Sequence, residues 1–286
     1  MPMETSSLVR TPELDRARFE LERRLRQRIL SSSRSERSKV VSDAYAELFE
    51  KFPQHGALGS QDERRRLRAK QAAGLLLPLT RPGDRVLEIG CGRGETLDEL
   101  ARAGRRCVGM EPSRHMVALS EAPSGVPIMD GTADKLDFPD GTFDLVFSLQ
   151  VLEHLHPDDV PLHFAEAFRV LKRDGLLAFE TPNRRTGPHD VSRGFSASAE
   201  GLHLKEWSLG ELIEQLRAVG FVDLQGLVVP PFLARRVAGL RRISRTPIVV
   251  SWAEDLLLSL IPGMRMGSFV ARVLGLEDLF VISRKP

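Results

Sequence analysis

The 286-residue sequence predicts an α/β protein. The expected architecture is a doubly wound, seven-stranded, mostly parallel sheet with an N-terminal helical extension and a helical insertion before the last strand. Three observations predict it. From Arg85 onward, short apolar strands alternate with amphipathic helices, the pattern of a sheet covered by helices on both faces. The first strand runs into a turn containing Gly90, Gly92 and Gly94 and then directly into a helix, an arrangement that lets backbone N–H groups approach a ligand. Apolar residues make up 42% of the chain and charged residues 28%, ordinary proportions for a globular core.

Taken in order, the first 60 residues read as helical. Leu14, Leu21, Leu25 and Ile29 form a thin apolar stripe on a charged helix; after the break at 31–35, Val41, Ala44, Tyr45, Leu48 and Phe49 form a fuller one. A third helix ends near Leu77, before Pro78. This places a helical extension or lid at 1–78 and the main domain at 79–286. The expected strands are Arg85–Ile89, Cys107–Met110, Pro127–Met129, Leu145–Leu149, Leu176–Glu180, Phe221–Val229 and Leu279–Ile282. The helix between the fourth and fifth strands carries Val160, Phe164, Ala167, Phe168 and Leu171 on one face, with Gly175 just past its end. The helix before the sixth opens on a Ser208-x-x-Glu211 capping box and closes at Gly220.

Composition limits the function classes. No run of about 18 apolar residues suggests a membrane span, and the opening segment lacks a signal-peptide core. Two cysteines, Cys91 and Cys107, make neither a disulfide framework nor a zinc site by themselves. A reduced, cytoplasmic protein is expected. Residues 71–230 hold 16 basic against 24 acidic side chains, which argues against a nucleic-acid partner. Residues 231–272 hold 7 basic against 2 acidic, so the insertion 230–276 can be a lid, a homodimer contact or a basic amphipathic surface for a membrane.

The glycine turn is G-x-G-x-G, not the G-x-G-x-x-G of dinucleotide-binding folds, and Glu95 stands at the third glycine's place. With Glu88, that acid disfavours a pyrophosphate and suits a ligand carrying positive charge. Glu111 ends the second strand, where an acid in a doubly wound fold accepts hydrogen bonds from a ribose diol.

The succession VLEIGCGRGE, MEPS and DGTADKLDFPDGTFDLVFSLQVLEHL resembles the class I S-adenosylmethionine-dependent methyltransferases, which have a Rossmann-like fold. The resemblance covers about residues 80–230 and resumes in the last strand. It implies S-adenosyl-L-methionine as cofactor. The segment Glu88, Gly90, Cys91, Gly92, Gly94 would cradle the methionine part, and Glu111 with Pro112 the ribose. Thr132, Ala133 and Asp134 would border the adenine, and Leu149 and Gln150 the sulfonium. Thr132 departs from the pattern, since relatives often carry an acid there; the contact to the amine of the base then falls to Asp134 or Asp130.

Methyl transfer to a hydroxyl needs positioning, exclusion of water and a general base. The informative histidines follow strands four and five: His154, His156, His189 and His203, of which His154, His189 and His203 are the candidate bases. His203 is the leading candidate, on the long polar loop 181–208 and five residues before the Ser208 cap. His189, Asp190 and His203 are a weak donor set, and no metal is expected. The expected activity is O-methylation of a small polyhydroxylated acceptor, a glycan or secondary metabolite. The alternatives are a peripheral membrane enzyme acting on a quinone- or lipid-like acceptor and a cofactor-binding protein without catalysis.

Overall fold

The structure, a computed structural model, describes residues 11–52, 62–112, 125–227, 246–247 and 277–286. They fall into two compact units, Asp62–Gly187 with Lys205–Pro286, and Met1–Gln61 with Pro188–Leu204.

The larger unit is the sheet. Its strands are β1 (Arg85–Ile89), β2 (Arg106–Glu111), β3 (Ile128–Asp130), β4 (Phe143–Leu149), β5 (Leu171–Pro182), β6 (Val222–Leu227), β7 (Thr246–Pro247) and β8 (Asp278–Arg284). They lie in the order β3-β2-β1-β4-β5-β8-β6-β7. Neighbours among β1 to β5 pair in parallel, while β8 is antiparallel to both β5 and β6. The seven-stranded, mostly parallel sheet is therefore present, with a two-residue β7 added on the edge of β6. Thr246 and Pro247 lie inside the insertion expected to be helical; the rest of that insertion is outside the described residues.

Period-two alternation decides which face each strand residue meets. Leu87 and Ile89 of β1, Val146 of β4 and Leu177 of β5 pack with Phe164, Ala167, Leu212 and Leu216. Val86, Leu145, Phe147 and Ala178 turn the other way and pack with Ala73, Leu76, Leu97 and Leu100. The helices supplying these side chains, α3 (Asp62–Leu76), α4 (Glu95–Arg102), α5 (Val160–Val170) and α6 (Leu209–Val219), thus cover both faces. The α6 capping box forms as read: Ser208 N–H donates to Glu211 Oε2 at 2.9 Å and Glu211 N–H to Ser208 Oγ at 3.5 Å. Gly220 caps the far end at φ 107°.

Two local expectations change. Gly175 does not end α5, because strand pairing begins at once: Leu171 registers with Phe143, and the register then shifts before Leu145 meets Leu176. Asp174, at φ 60°, and Gly175 sit inside that irregularity. Secondly, the division between units falls after Gln61, where the sequence pattern sets it at 78. Helix α3 goes with the sheet because Ala73 and Leu76 are buried in its core.

The smaller unit contains α1 (Pro12–Leu30) and α2 (Arg34–Lys51) together with the middle of the loop expected to receive the acceptor. Leu21, Leu25 and Ile29 of α1 and Ala44 and Leu48 of α2 bury with Leu202 and Leu204. The backbone is tied as well. Glu22, 2% exposed, accepts Leu202 N–H at 3.1 Å and Arg18 Nε–H at 2.7 Å. Arg26 donates to Leu204 O at 3.0 Å. Asp190 caps a short turn by accepting Ser192 N–H at 2.9 Å and reaches back to Gly201 N–H at 2.8 Å. A segment that reads as open loop is in effect the third component of a two-helix unit.

Candidate functional site

The parallel strands of the larger unit all deliver their carboxyl ends to one edge, where doubly wound sheets bind ligands. β1 passes into Gly90 (φ 72°), Cys91, Gly92 (φ 55°), Arg93 and Gly94 (φ 83°), all three glycines in the left-handed region. Gly90 has a second reason to lack a side chain: a Cβ there would lie 2.5 Å from Val151 Cγ2. The turn is pinned across β2, since Gly90 N–H and Cys91 N–H both donate to Met110 O, at 2.8 and 3.1 Å. Gly92 N–H donates to Glu111 Oε2 at 2.9 Å. One carboxylate thus orients the glycine turn from the tip of the neighbouring strand.

Glu88 lies beneath this turn at 4% exposure, and its Oε2 is buried with no hydrogen-bond partner. Desolvation, with Glu95 and Glu111 adding repulsion, holds its carboxyl well above the usual carboxylate range. A buried, unsatisfied acid among three carboxylates fits a ligand bringing positive charge and N–H donors. The ammonium group of a methionine moiety has that chemistry, and Glu111 fits a diol. Cys91 contributes backbone only. Its Sγ packs on Gly109, where a Cβ would meet it at 2.5 Å, and burial pushes the thiol far up. Burial likewise pushes Cys107 to about 12, so neither sulfur is a nucleophile at neutral pH.

Glu88→Gln makes a prediction with two opposite signs. The acid's raised folded-state value means that folding takes up a proton, so the stability of the ligand-free chain falls as pH rises from about 4.5 through that value. The amide removes this loss. Thermal unfolding of Glu88→Gln is expected to be higher than wild type at pH 8 and similar at pH 4, whereas calorimetry with S-adenosylhomocysteine is expected to show weaker binding. A variant less stable at pH 8 would contradict the account.

The remaining cofactor candidates sit along the same edge. Pro112 follows Glu111 and is exposed. Thr132, Ala133 and Asp134 form the turn after β3, closed by an isolated bridge between Thr132 and Lys135. The register Glu111↔Asp130 places that turn beside the tip of β2. Leu149 ends β4, and Gln150 follows at φ 56°, a left-handed conformation uncommon for a residue with a side chain. Its backbone N–H donates to Glu180 O at 2.8 Å, and its amide donates to Glu180 Oε1 at 2.9 Å and Asp278 Oδ1 at 3.2 Å. The strand ends of β5 and β8 therefore hold Gln150. Burial and the Asp278 charge raise the Glu180 carboxyl.

The three histidines divide between the units. His154 closes a short turn, Leu152–His154, immediately after β4. That turn is fixed by Trp207 Nε1–H donating to Leu152 O at 3.4 Å and Lys205 N–H donating to Glu153 O at 3.3 Å. His154 Nε2 lies 3.9 Å from Glu153 Oε1, with the imidazole 34% exposed and the carboxylate fully buried. Thr181 Oγ1 donates to Glu153 Oε2 at 3.0 Å. His189 and His203 belong to the smaller unit. His203 is held between Leu202 and Leu204, both buried in that unit's core.

The pattern of residues did not single out Thr181 as the group that holds Glu153, nor the polar side of α5. On that side His163 Nδ1 lies 3.3 Å from Ala133 O, and burial lowers the imidazole to about 4. The apolar face of α5 was legible; its polar stripe at 163, 166 and 169 shows the same helical spacing and was the available signal.

With this geometry in view, comparison with known proteins is specific at the level of the domain. Residues 87–179 match the family model "Methyltransferase domain". A Mycolicibacterium smegmatis protein named a probable S-adenosylmethionine-dependent methyltransferase is 36% identical over 140 residues, 49% of this chain and 52% of the relative. A ubiquinone biosynthesis O-methyltransferase of Azorhizobium caulinodans is 35% identical over 107 residues, 36% of this chain and 42% of the relative. The chain thus spans about half the length of the curated relatives it matches. A SAM-dependent methyltransferase from Archaeoglobus fulgidus shares the fold, with a TM-score of 0.56 and 23% identity over 84% of this chain and 99% of that one. Residues 87–179 thus match a methyltransferase domain, and the sheet has the Rossmann-like fold of the class I S-adenosylmethionine-dependent methyltransferases.

Proposed function

We propose that the chain is an S-adenosylmethionine-dependent O-methyltransferase acting on a hydroxyl of a small polyhydroxylated acceptor. The observation carrying the cofactor half is the buried, unpartnered Glu88 Oε2 beneath a glycine turn that Glu111 holds from the next strand. The cofactor, when bound, supplies an electrophilic methyl group on a sulfonium. Glu88 and the glycine turn bind its amino-acid end, Glu111 orients the ribose, and Leu149 with Gln150 borders the reacting end. The likeness to a ubiquinone biosynthesis O-methyltransferase supports a hydroxyl as acceptor.

A hydroxyl must lose a proton as it is methylated, and a histidine beside a carboxylate is a suitable base. Of the three candidates, His154 is favoured. It follows β4 at the carboxyl edge, and Glu153, itself held by Thr181, stands at ion-pair distance to orient the ring and stabilise its protonated form. His203 and His189 stand second. The experiment is incubation with labelled S-adenosylmethionine and a panel of glycans, phenolic metabolites and quinols, read by mass spectrometry. Label on a hydroxyl oxygen supports the reading; label only on nitrogen or carbon would overturn its acceptor half.

A further inference from the structure

The turn after β3 is gripped by one face of α5. His163, Glu166 and Arg169 recur every three residues, one turn apart, and each holds main-chain atoms of residues 133–138. His163 Nδ1 reaches Ala133 O at 3.3 Å. Because a carbonyl only accepts, the ring proton is on Nδ1, which leaves Nε2 an acceptor buried without a partner. Glu166 Oε2 accepts Leu136 N–H at 2.8 Å. Arg169 donates to Leu136 O at 2.7 Å, Phe138 O at 2.8 Å and Asp140 Oδ1 at 2.7 Å. Glu166 and Arg169 are also paired with each other, at 2.7 and 2.8 Å. Both peptide groups of Leu136 are thus held by a bidentate ion pair, a rigid arrangement.

The position of this turn gives the grip a use. If Glu111 takes the ribose and the β1 turn the amino-acid end, the nucleobase extends away from β1. The next strand in that direction is β3, registered at Glu111↔Asp130. Asp130, Thr132 and Asp134 all lie at this turn, so which of their polar groups faces the base depends on where the main chain is held. Resting on the cofactor reading above, we propose that His163, Glu166 and Arg169 are positioning residues for the nucleobase. They act through the backbone of residues 132–136 and do not touch the ligand.

The test is calorimetry of the full chain with S-adenosylhomocysteine and its 6-oxo analogue, S-inosylhomocysteine. His163→Leu, Glu166→Ala and Glu166→Gln are compared with wild type, below their melting temperatures. Loss of one charged hydrogen bond to the turn is expected to weaken S-adenosylhomocysteine binding about tenfold in Glu166→Ala, with Glu166→Gln recovering most of it because its amide oxygen still accepts Leu136 N–H. His163→Leu, which fills the volume without the donor, is expected to weaken it several-fold. In both weakened variants the preference for the 6-amino over the 6-oxo base falls toward one. A general loss of structure lowers both affinities equally, so an unchanged preference overturns the proposal, as do unchanged affinities or a wild-type preference near one. Absence of any wild-type binding would overturn the cofactor reading and this inference with it; wild-type binding with indifferent variants overturns the inference alone.

Discussion

His154→Ala is expected to lower turnover by about 10²–10⁴-fold, the range contributed by a positioned general base. Affinity for S-adenosylhomocysteine should stay near the wild-type value, because His154 lies on the turn after β4 and not on the glycine turn. The wild-type rate should rise with pH as one imidazole loses its proton, and the variant should lose that dependence. Glu153→Gln is the companion. It keeps the oxygen that accepts Thr181 Oγ1–H but removes the charge facing the ring, so it should lower turnover less than His154→Ala. His203→Ala and His189→Ala complete the set, with melting temperature and turnover both measured. A large loss of turnover in His203→Ala, at unchanged stability and with a mild His154→Ala, would move the base to the smaller unit. Near-normal turnover in all three would mean an acceptor that needs no base from the protein.

Glu111→Ala is expected to weaken cofactor binding at least tenfold in a folded protein. Two charge-assisted hydrogen bonds to a diol, at about 1.5–3 kcal/mol each, exceed that loss before water compensates. The structure adds a second contribution: the same carboxylate accepts Gly92 N–H, so alanine also releases the turn above Glu88. Glu111→Gln separates the two, since its amide oxygen still accepts from Gly92 while the charge is gone. The expected order of affinities is wild type, then glutamine, then alanine. Equal affinity in all three, measured by calorimetry, would remove the ribose assignment.

The sheet was legible because its signals are local. Each strand between Arg85 and Leu149 is a short apolar run bounded by polar turns, and the register places the glycine turn, Glu111 and Gln150 on one edge with no long-range information needed. The smaller unit was less legible because its third component is separated in sequence. Leu202 and Leu204 are two apolar residues in a polar segment, and only their burial with Leu21, Leu25 and Leu48 gives them a role. Glu22 reads as one more charge on a charged helix, yet it is buried and caps Leu202 N–H. The start of β5 was hidden for another reason. Leu171 completes the apolar face of α5, so periodicity assigns it to the helix, whereas pairing with Phe143 makes it strand. At the site, the glycines and acids declared their chemistry, but the groups that hold Glu153 and the β3 turn did not. Those depend on Thr181, Ala133 and Leu136 meeting side chains 28 to 30 residues away, which spacing alone does not reveal.

Calorimetry of the purified chain with S-adenosylmethionine and, separately, with NAD distinguishes the two kinds of ribose-bearing cofactor. Both ligands carry a ribose that Glu111 can hold, so the comparison isolates the other end. Glu88 and Glu95 beside the glycine turn favour a cationic sulfonium amino acid and repel a pyrophosphate. Saturable binding of S-adenosylmethionine, weakened in Glu88→Gln, is expected, with no binding of NAD. Tight binding of NAD with none of S-adenosylmethionine would overturn the cofactor assignment.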